Sequence, residues 1–281
     1  MGKVKIAETL CRAGLHLGAT TVGRILKEEP QPDPEVAAPS TRVVTAKRPN
    51  HVWHVDLTAV PTSMGFWAPW LPFSLPQCWP FSWWVAVVID HYSRRVMGVD
   101  IFRNNPTSVS VSHCLECAIH TASATPKYLI CDKGQQFWCR VFKDWCDRQG
   151  ITPRFGAVGQ HGSIALIERF ILSLKNECTR VIVVPLCRET FHQELTCFTN
   201  WYDQNRPHST LDGRTPHEVY HKLRPASERP RFEPRSRWRR TARCASPQAP
   251  VVSHCGARIR LDVRYYRGRK HLPVVALRRV A

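Results

Sequence analysis

From Val52 to Ala59 apolar and polar residues alternate, the period-two pattern of a strand with one face on a core. Two more strand patterns follow, Trp83–Asp90 and Val96–Phe102, joined by the turn-like run from His91 to Arg95. The period then lengthens. Ser108–Thr121 predicts a helix, Tyr128–Cys131 a short buried strand, and Phe137–Gln149 a helix with Phe137, Val141 and Trp145 at helical spacing. Ile151–Phe155 predicts a further strand and Ile164–Cys178 a strongly amphipathic helix. Three antiparallel strands followed by helix, strand, helix, strand and helix predict an α/β fold, a mixed sheet with helices on both faces.

The two ends read differently. Lys5 to Glu28 predicts two short helices: Ile6, Leu10 and Cys11 share one face, Gly14-Leu15 begins a break, and Thr20 or Thr21 caps a second helix carrying Val22, Ile25 and Leu26. Residues 1–28 are thus expected to form a partial helix-turn-helix. The segment is too short to build its own core, so it is expected to be poorly ordered or to lean on the middle of the chain. Residues 29–46 contain Pro30, Pro32, Pro34 and Pro39 and read as a linker. Residues 47–223 form the central domain, and residues 224–256 read as an Arg- and Pro-rich linker. Residues 257–281 read as a small basic β unit, two alternating runs around a turn at Gly268.

Charge changes this picture. The 281 residues carry 40 Lys and Arg against 22 Asp and Glu, a formal net charge of +18. Residues 224–281 alone hold sixteen basic and three acidic side chains, so the basic character is a tail on a nearly neutral body. Such a tail suits a polyanion, most simply nucleic acid, although an anionic membrane surface also attracts it. Leu57 to Ile89 has no charged residue, yet five prolines interrupt it, leaving only Phe81–Ile89 as an apolar run. A helical span needs about 20 apolar residues, so no membrane segment is expected. In that Pro-rich loop Trp67, Trp70 and Trp79 could stack on DNA bases or pack on the protein's own surface. The N-terminus lacks an apolar secretory core. Of the twelve cysteines only Cys114 and Cys117 form a C-x-x-C pair, with no second pair at zinc-site distance. They are expected to be reduced, buried apolar side chains in a reducing cytoplasm.

Three acids sit where a sheet-centred site would want them. Asp56 lies inside the first strand, where a carboxylate is costly unless paired or metal-bound. Asp132 ends the fourth strand, and Gly134 is expected to let the backbone turn sharply beside it. Glu168 lies on the amphipathic helix after the loop Gly159–Ser163. Carboxylate oxygens in such a set are what Mg²⁺ accepts. Taken singly, each acid has an ordinary reading: strand-end Asp residues cap the next element, and helical Glu residues are solvated.

Together with their surroundings the acids resemble the D,D-35-E integrase core of bacterial insertion-sequence transposases and retroviral-type integrases. Thirty-five residues separate Asp132 from Glu168. The words His54-Val55-Asp56-Leu57-Thr58, Ile89-Asp90-His91-Tyr92-Ser93-Arg94 and Cys131-Asp132-Lys133-Gly134-Gln135-Gln136-Phe137 carry the likeness. So do Gly162-Ser163-Ile164-Ala165, Ile167-Glu168-Arg169-Phe170 and Leu174-Lys175-Asn176-Glu177. Trp201-Tyr202, Asn205-Arg206-Pro207-His208, Leu211, Thr215-Pro216 and Tyr220 complete it.

The resemblance implies a ribonuclease-H-like fold in which Asp56, Asp132 and Glu168 are catalytic and hold two divalent ions, Mg²⁺ or Mn²⁺. It implies DNA strand cleavage and strand transfer on element ends and target DNA, by a homo-oligomer assembled on DNA. Lys175, seven residues after Glu168 on the same helical face, resembles the family's DNA-touching lysine; Arg206 and His208 are candidate phosphate contacts. Asp90 resembles a structural position. A full-length transposase of this type has more helix-turn-helix ahead of its core. The chain is therefore expected to be a truncated reading frame, or to work with a partner polypeptide that supplies the upstream helices. The aromatic loop 61–80 is longer than the compact family hairpin, and the retroviral zinc-binding N-domain is absent. The competing functions are a catalytically silent DNA-binding remnant and a ribonuclease-H-type nuclease. The location expected is the cytoplasm, in association with the nucleoid.

Overall fold

A computed structural model describes residues 2–26, 44–65, 75–156, 165–226 and 258–280. Most of the two expected linkers, Trp67, Trp70 and the loop Gly159–Ser163 lie outside the described residues. The chain forms two compact units, Ala38–Asn200 and the combination of Met1–Ala37 with Trp201–Ala281.

The larger unit is built on a five-stranded sheet in the order β3-β2-β1-β4-β5. β1 (Val52–Pro61), β2 (Ser82–Asp90) and β3 (Val96–Phe102) are antiparallel neighbours. β4 (Tyr128–Cys131) and β5 (Thr152–Phe155) run parallel to β1. Val85 to Ile89 on β2 are fully buried. This near-continuous apolar run suits a strand covered on both faces.

α3 (Ser108–Ala122) packs on β2 and β3. Its N-terminus is capped by Thr107, whose hydroxyl accepts from the Ser110 N–H at 3.3 Å. α4 (Gln135–Trp138) and α5 (Arg140–Arg148) follow, and α5 packs on β5. α6 (Ala165–Leu174) lies against β1 and buries Ile167, Phe170, Ile171 and Leu174. The first part of α7 (Arg188–Asn205) adds Phe191, Leu195 and Phe198 to the core.

Two helices depart from the sequence pattern. The helix expected over 137–149 is broken at Cys139, whose backbone is extended (φ −79°, ψ 159°). The break resets the helical phase. Phe137 stays buried, but Val141 is 54% exposed and the inward face of α5 becomes Phe142, Trp145 and Cys146. Phe142 meets Phe137 edge-on at 5.4 Å, and the Trp145 indole donates to Glu116 at 2.6 Å. The amphipathic helix, expected to continue to Cys178, passes at Lys175 into one π turn, Lys175–Thr179. In it the Arg180 N–H donates to the Lys175 carbonyl at 2.9 Å.

In the smaller unit α1 (Lys3–Ala13) ends at Gly14, which has the left-handed φ of 101° that glycine tolerates. α2 (Ala19–Ile25) begins after Gly18 without a side-chain cap, so Thr20 and Thr21 lie inside the helix rather than capping it. Ile25 and Leu26 are exposed, not on a buried face. β6 (Arg258–Tyr265) and β7 (Pro273–Val280) form an antiparallel hairpin, and α1 packs on β7. α8 (Pro216–Tyr220) starts with a capping box between Thr215 and Glu218. Glu218 also accepts from Arg12 of α1 at 2.6 Å and from the Ala226 N–H at 3.1 Å. The N-terminal helices are therefore fastened to residues far along the chain.

All ten described cysteines are free thiols. Cys114 is buried, and burial pushes its thiol up to about 12. Cys117, expected to be buried, is exposed and lies 3.8 Å from His113 one helical turn back. Trp79 packs on Trp83 at 4.3 Å with Arg103 over its ring, so this tryptophan of the aromatic loop is engaged by the fold itself. No helix among the described residues is long and apolar enough to cross a membrane.

Candidate active site

The site grows out of strand register. β1 and β4 are parallel, with Val52 opposite Tyr128 and His54 opposite Ile130. The same offset carried two residues further puts Asp56 opposite Asp132, just beyond the last paired position. Side chains two apart on a strand share a face, and neighbouring strands lie about 4.8 Å apart, so the two carboxylates become neighbours. Glu168 stands in the first turn of α6, the helix that packs on β1.

Electrostatics records the same convergence. The Asp56 carboxyl is pushed up to about 6, first by burial and then by the negative charges of Asp132 and Glu168. A hydrogen bond from the Leu57 N–H at 2.7 Å and the positive charge of Lys175 act in the opposite direction. Asp56, Asp132, Glu168 and Lys175 thus share one electrostatic neighbourhood. Among the described residues no three His, Cys, Asp or Glu side chains close on a point as tightly as a metal cage requires. The donor set nevertheless fits a hard divalent cation: it is all carboxylate, and burial together with two neighbouring acids makes Asp56 resist ionising more than Lys175 offsets.

Asp132 accepts from the Gly134 N–H at 3.0 Å. The glycine does not serve the sharp turn expected of it, since its φ is an ordinary −58°. It serves space: a Cβ there would meet Gln136 at 2.5 Å and the Asp132 carboxylate at 3.0 Å. Lys175 is half-buried, and burial, then the nearby Arg180, lowers its pKa.

Asp90 is fully buried and belongs to the turn after β2. Its carboxylate accepts from the Asn50 N–H at 2.8 Å, the Ser93 N–H at 2.8 Å and the Ser93 hydroxyl at 2.6 Å. Arg206 does not stand on the surface as a phosphate contact would. It is 5% exposed, its guanidinium lies 5.0 Å from the centre of the Tyr202 ring, and its Nη1 is 3.4 Å from His208 Nε2. His208 is half-buried and meets the Tyr202 ring edge-on at 4.7 Å.

Sequence reasoning missed the pair His54 and His91. His54 is fully buried, its Nε2 lies 2.8 Å from His91 Nδ1, and the rings stack at 5.0 Å. Burial is the leading cause that pushes His54 down to about 3 and His91 to about 4, so both imidazoles are neutral at ordinary pH. A histidine at an inward strand position was the only available signal; its partner lies 37 residues away.

Residues 46–161 match the family described as integrase core domain, and residues 149–216 match a second family of the same description. The two matches overlap and together run through more than half of the chain. The chain belongs to the integrase-core family. A Mycobacterium tuberculosis protein assigned as transposase for insertion sequence element IS986/IS6110 is 29% identical over 189 residues, 59% of this chain and 62% of the relative. The chain thus spans under two thirds of that relative's length. The transposase for insertion sequence element IS904 of Lactococcus lactis is 21% identical over 232 residues, 76% of this chain and 85% of the relative. Among solved structures, a chain of the simian T-cell lymphotropic virus intasome in complex with PP2A regulatory subunit B56 gamma superposes with a TM-score of 0.52 at 16% identity. That match covers 93% of this integrase-core chain and 81% of the viral one, and the likeness is one of fold. The mixed sheet of the integrase core is ribonuclease-H-like, as its sequence words implied.

Proposed function

We propose that the chain is a DNA transposase or integrase that nicks a DNA strand and joins a DNA 3′-hydroxyl to a target strand. What supports this reading most is the cluster of charge around Asp56, in which two further acids and one lysine act on a single carboxyl. In-line attack at phosphorus by water, or by a 3′-hydroxyl, forms one P–O bond and breaks another. The proton of the attacking group ends on the departing oxygen. Asp56, Asp132 and Glu168 would hold two Mg²⁺ or Mn²⁺ ions, which when bound neutralise charge on the phosphoryl oxygens and favour ionisation of the attacking oxygen. Lys175 neutralises a neighbouring DNA phosphate, and His208 is a second candidate contact. Arg206 supports the fold through Tyr202. No covalent protein nucleophile is called for.

The proposed setting is the cytoplasm, on nucleoid DNA, as a homo-oligomer assembled on element ends. The test is strand nicking of duplex DNA and of an RNA–DNA hybrid in Mg²⁺, in Mn²⁺ and in EDTA. Metal-dependent nicking of DNA is expected. Faster cutting of the hybrid makes the protein a ribonuclease-H-type nuclease, and binding without cutting in either metal makes it a silent remnant.

The basic tail should supply affinity without sequence preference. Seven arginines lie between residues 228 and 244. Changing them to Gln should weaken binding to all DNA sequences alike and flatten the salt dependence, by up to about 0.9 in log–log slope per lost phosphate contact. Fluorescence anisotropy across a salt series measures this. An unchanged slope would mean that the tail's charge serves another partner.

A further inference from the structure

Beside the acids a cavity of about 790 Å³ opens between the end of β1 and the segment after α6. Its size falls in the range of sites that enclose small organic ligands. Ala59 and Pro61 form one apolar wall, Ile182 and Val184 the other. The second wall is anchored, because the Trp83 indole on β2 donates to the Pro185 carbonyl at 2.8 Å. That bond ties the second wall to the central sheet, while Pro61 and Val183 keep the cavity open to the surface.

Lys175 and Arg180 both line it. In an α-helix, residues five apart point about 140° away from each other. The π turn, with its bond from Arg180 N–H to Lys175 carbonyl, brings these two cations to one rim. Their like charges repel, which contributes to the lowered pKa of Lys175. An anion between them would relieve that repulsion. Lys175 also feels the charge of Asp56, so the rim adjoins the acid cluster. The order along the surface is then acids, cations, apolar cavity.

We propose that this cavity receives one nucleotide of the DNA substrate turned out of its stack, with its phosphate between Lys175 and Arg180 and its base between the Pro61 and Ile182–Val184 walls. The inference rests on the transferase reading, since cleavage at the acids is what brings a nucleotide to this rim. Ser63 and Thr179 also line the cavity and offer hydroxyls that donate or accept. Such hydroxyls can serve the edge of any base, so occupancy should not demand one sequence. Turning a base out costs least where the strand is already unpaired, so a frayed or forked end is the preferred substrate.

The test uses the full chain and a forked duplex carrying 2-aminopurine at successive positions around the fork, bound in Ca²⁺ so that it is not cut. At one position the 2-aminopurine emission should rise on binding as the base leaves its stack. Ala59→Phe puts a ring where the base would pack and should abolish the rise while fork affinity, dominated by phosphate contacts, changes by less than about threefold. Arg180→Gln, on an exposed residue that leaves β1 untouched, should weaken fork binding about tenfold and reduce the emission at saturation. A protein that nicks the fork in Mg²⁺ but gives no emission rise at any position overturns the cavity assignment alone. So does a rise that persists in a folded Ala59→Phe protein, or an Arg180→Gln protein with unchanged affinity and emission. A chain that neither binds nor nicks forked DNA overturns the transferase reading, and the cavity assignment with it.

Discussion

Asp56→Asn, Asp132→Asn and Glu168→Gln should each lower metal-dependent strand cleavage by about three orders of magnitude or more. On the proposed reading each would remove one ligand charge from a shared cation pair worth several kcal/mol of transition-state stabilisation, and every 1.4 kcal/mol or so is tenfold in rate. The fold should survive in all three, and Asp56→Asn should be more stable than the native chain in metal-free buffer. The sign follows from the pKa. The Asp56 carboxyl is raised from 3.8 to about 6, so between those values the folded state holds more proton than the unfolded one. Stability therefore falls as pH rises through that window and stays lower above it. A shift of about two units corresponds to about 2–3 kcal/mol before solvent screening of this half-buried group. Thermal melts in EDTA at pH 7.5 should show Asp56→Asn melting a few degrees higher, with the difference shrinking toward pH 4. Retained cleavage in any variant removes that residue from the site. A lower melting temperature for Asp56→Asn would mean that its charge is stabilised by the fold rather than held against it.

Glu218→Ala should destabilise the smaller unit by about 3–5 kcal/mol, the usual consequence of removing one partner from a buried ion pair. Three groups lose their acceptor at once: the Arg12 guanidinium at 2.6 Å, the Thr215 N–H at 2.9 Å and the Ala226 N–H at 3.1 Å. Burial alone would raise the Glu218 pKa, but the hydrogen bond from Arg12 and those from the backbone outweigh it and lower it below 4.5. A depressed acid contributes stability that is complete above its unfolded pKa and lost as pH falls through its folded one. Glu218→Gln should therefore flatten the acid limb of the stability curve below pH 4.5, and Arg12→Met should cost less than Glu218→Ala. Urea unfolding of the full chain, followed by protection of Ala7 and Val22 amides from hydrogen exchange, reads the effect. Unchanged protection in Glu218→Ala would show that the N-terminal helices are held by other contacts.

Most of the central sheet was legible because alternation is a local property. Val96–Phe102 and Tyr128–Cys131 match their strands residue for residue, and Val52–Ala59 falls short of β1 by two residues. The words around Asp56, Asp132 and Glu168 singled out three acids that the fold brings together, and the parallel register of β1 and β4 explains why two of those words meet. What could not be read depends on contacts between distant residues or on backbone phase. The break at Cys139 leaves no mark in a chain whose apolar residues fit an unbroken helix. The π turn at Lys175 adds one residue to a helical repeat, which spacing alone cannot distinguish from a continuing helix. The bond between Arg12 and Glu218 joins residues 206 apart. Arg206 looked like a phosphate contact because Arg usually lies outside, and only the Tyr202 ring reveals that it is folded in.

The parallel pairing of β1 with β4 also governs when the three acids can meet. Asp132 and Glu168 lie 76 and 112 residues after Asp56, and the intervening β1–β2 and β2–β3 hairpins bring neither acid near it. Parallel pairing across so long a loop is slow, because its closure entropy must be met before the contact rewards it. A ribosome adding about 5–20 residues per second takes about 6 to 22 seconds between Asp56 and Glu168. A nascent or misfolded chain with only its hairpins formed therefore lacks the assembled acid cluster. On the transferase reading proposed above, the protein stays inert toward DNA until β4 and α6 have both docked on β1.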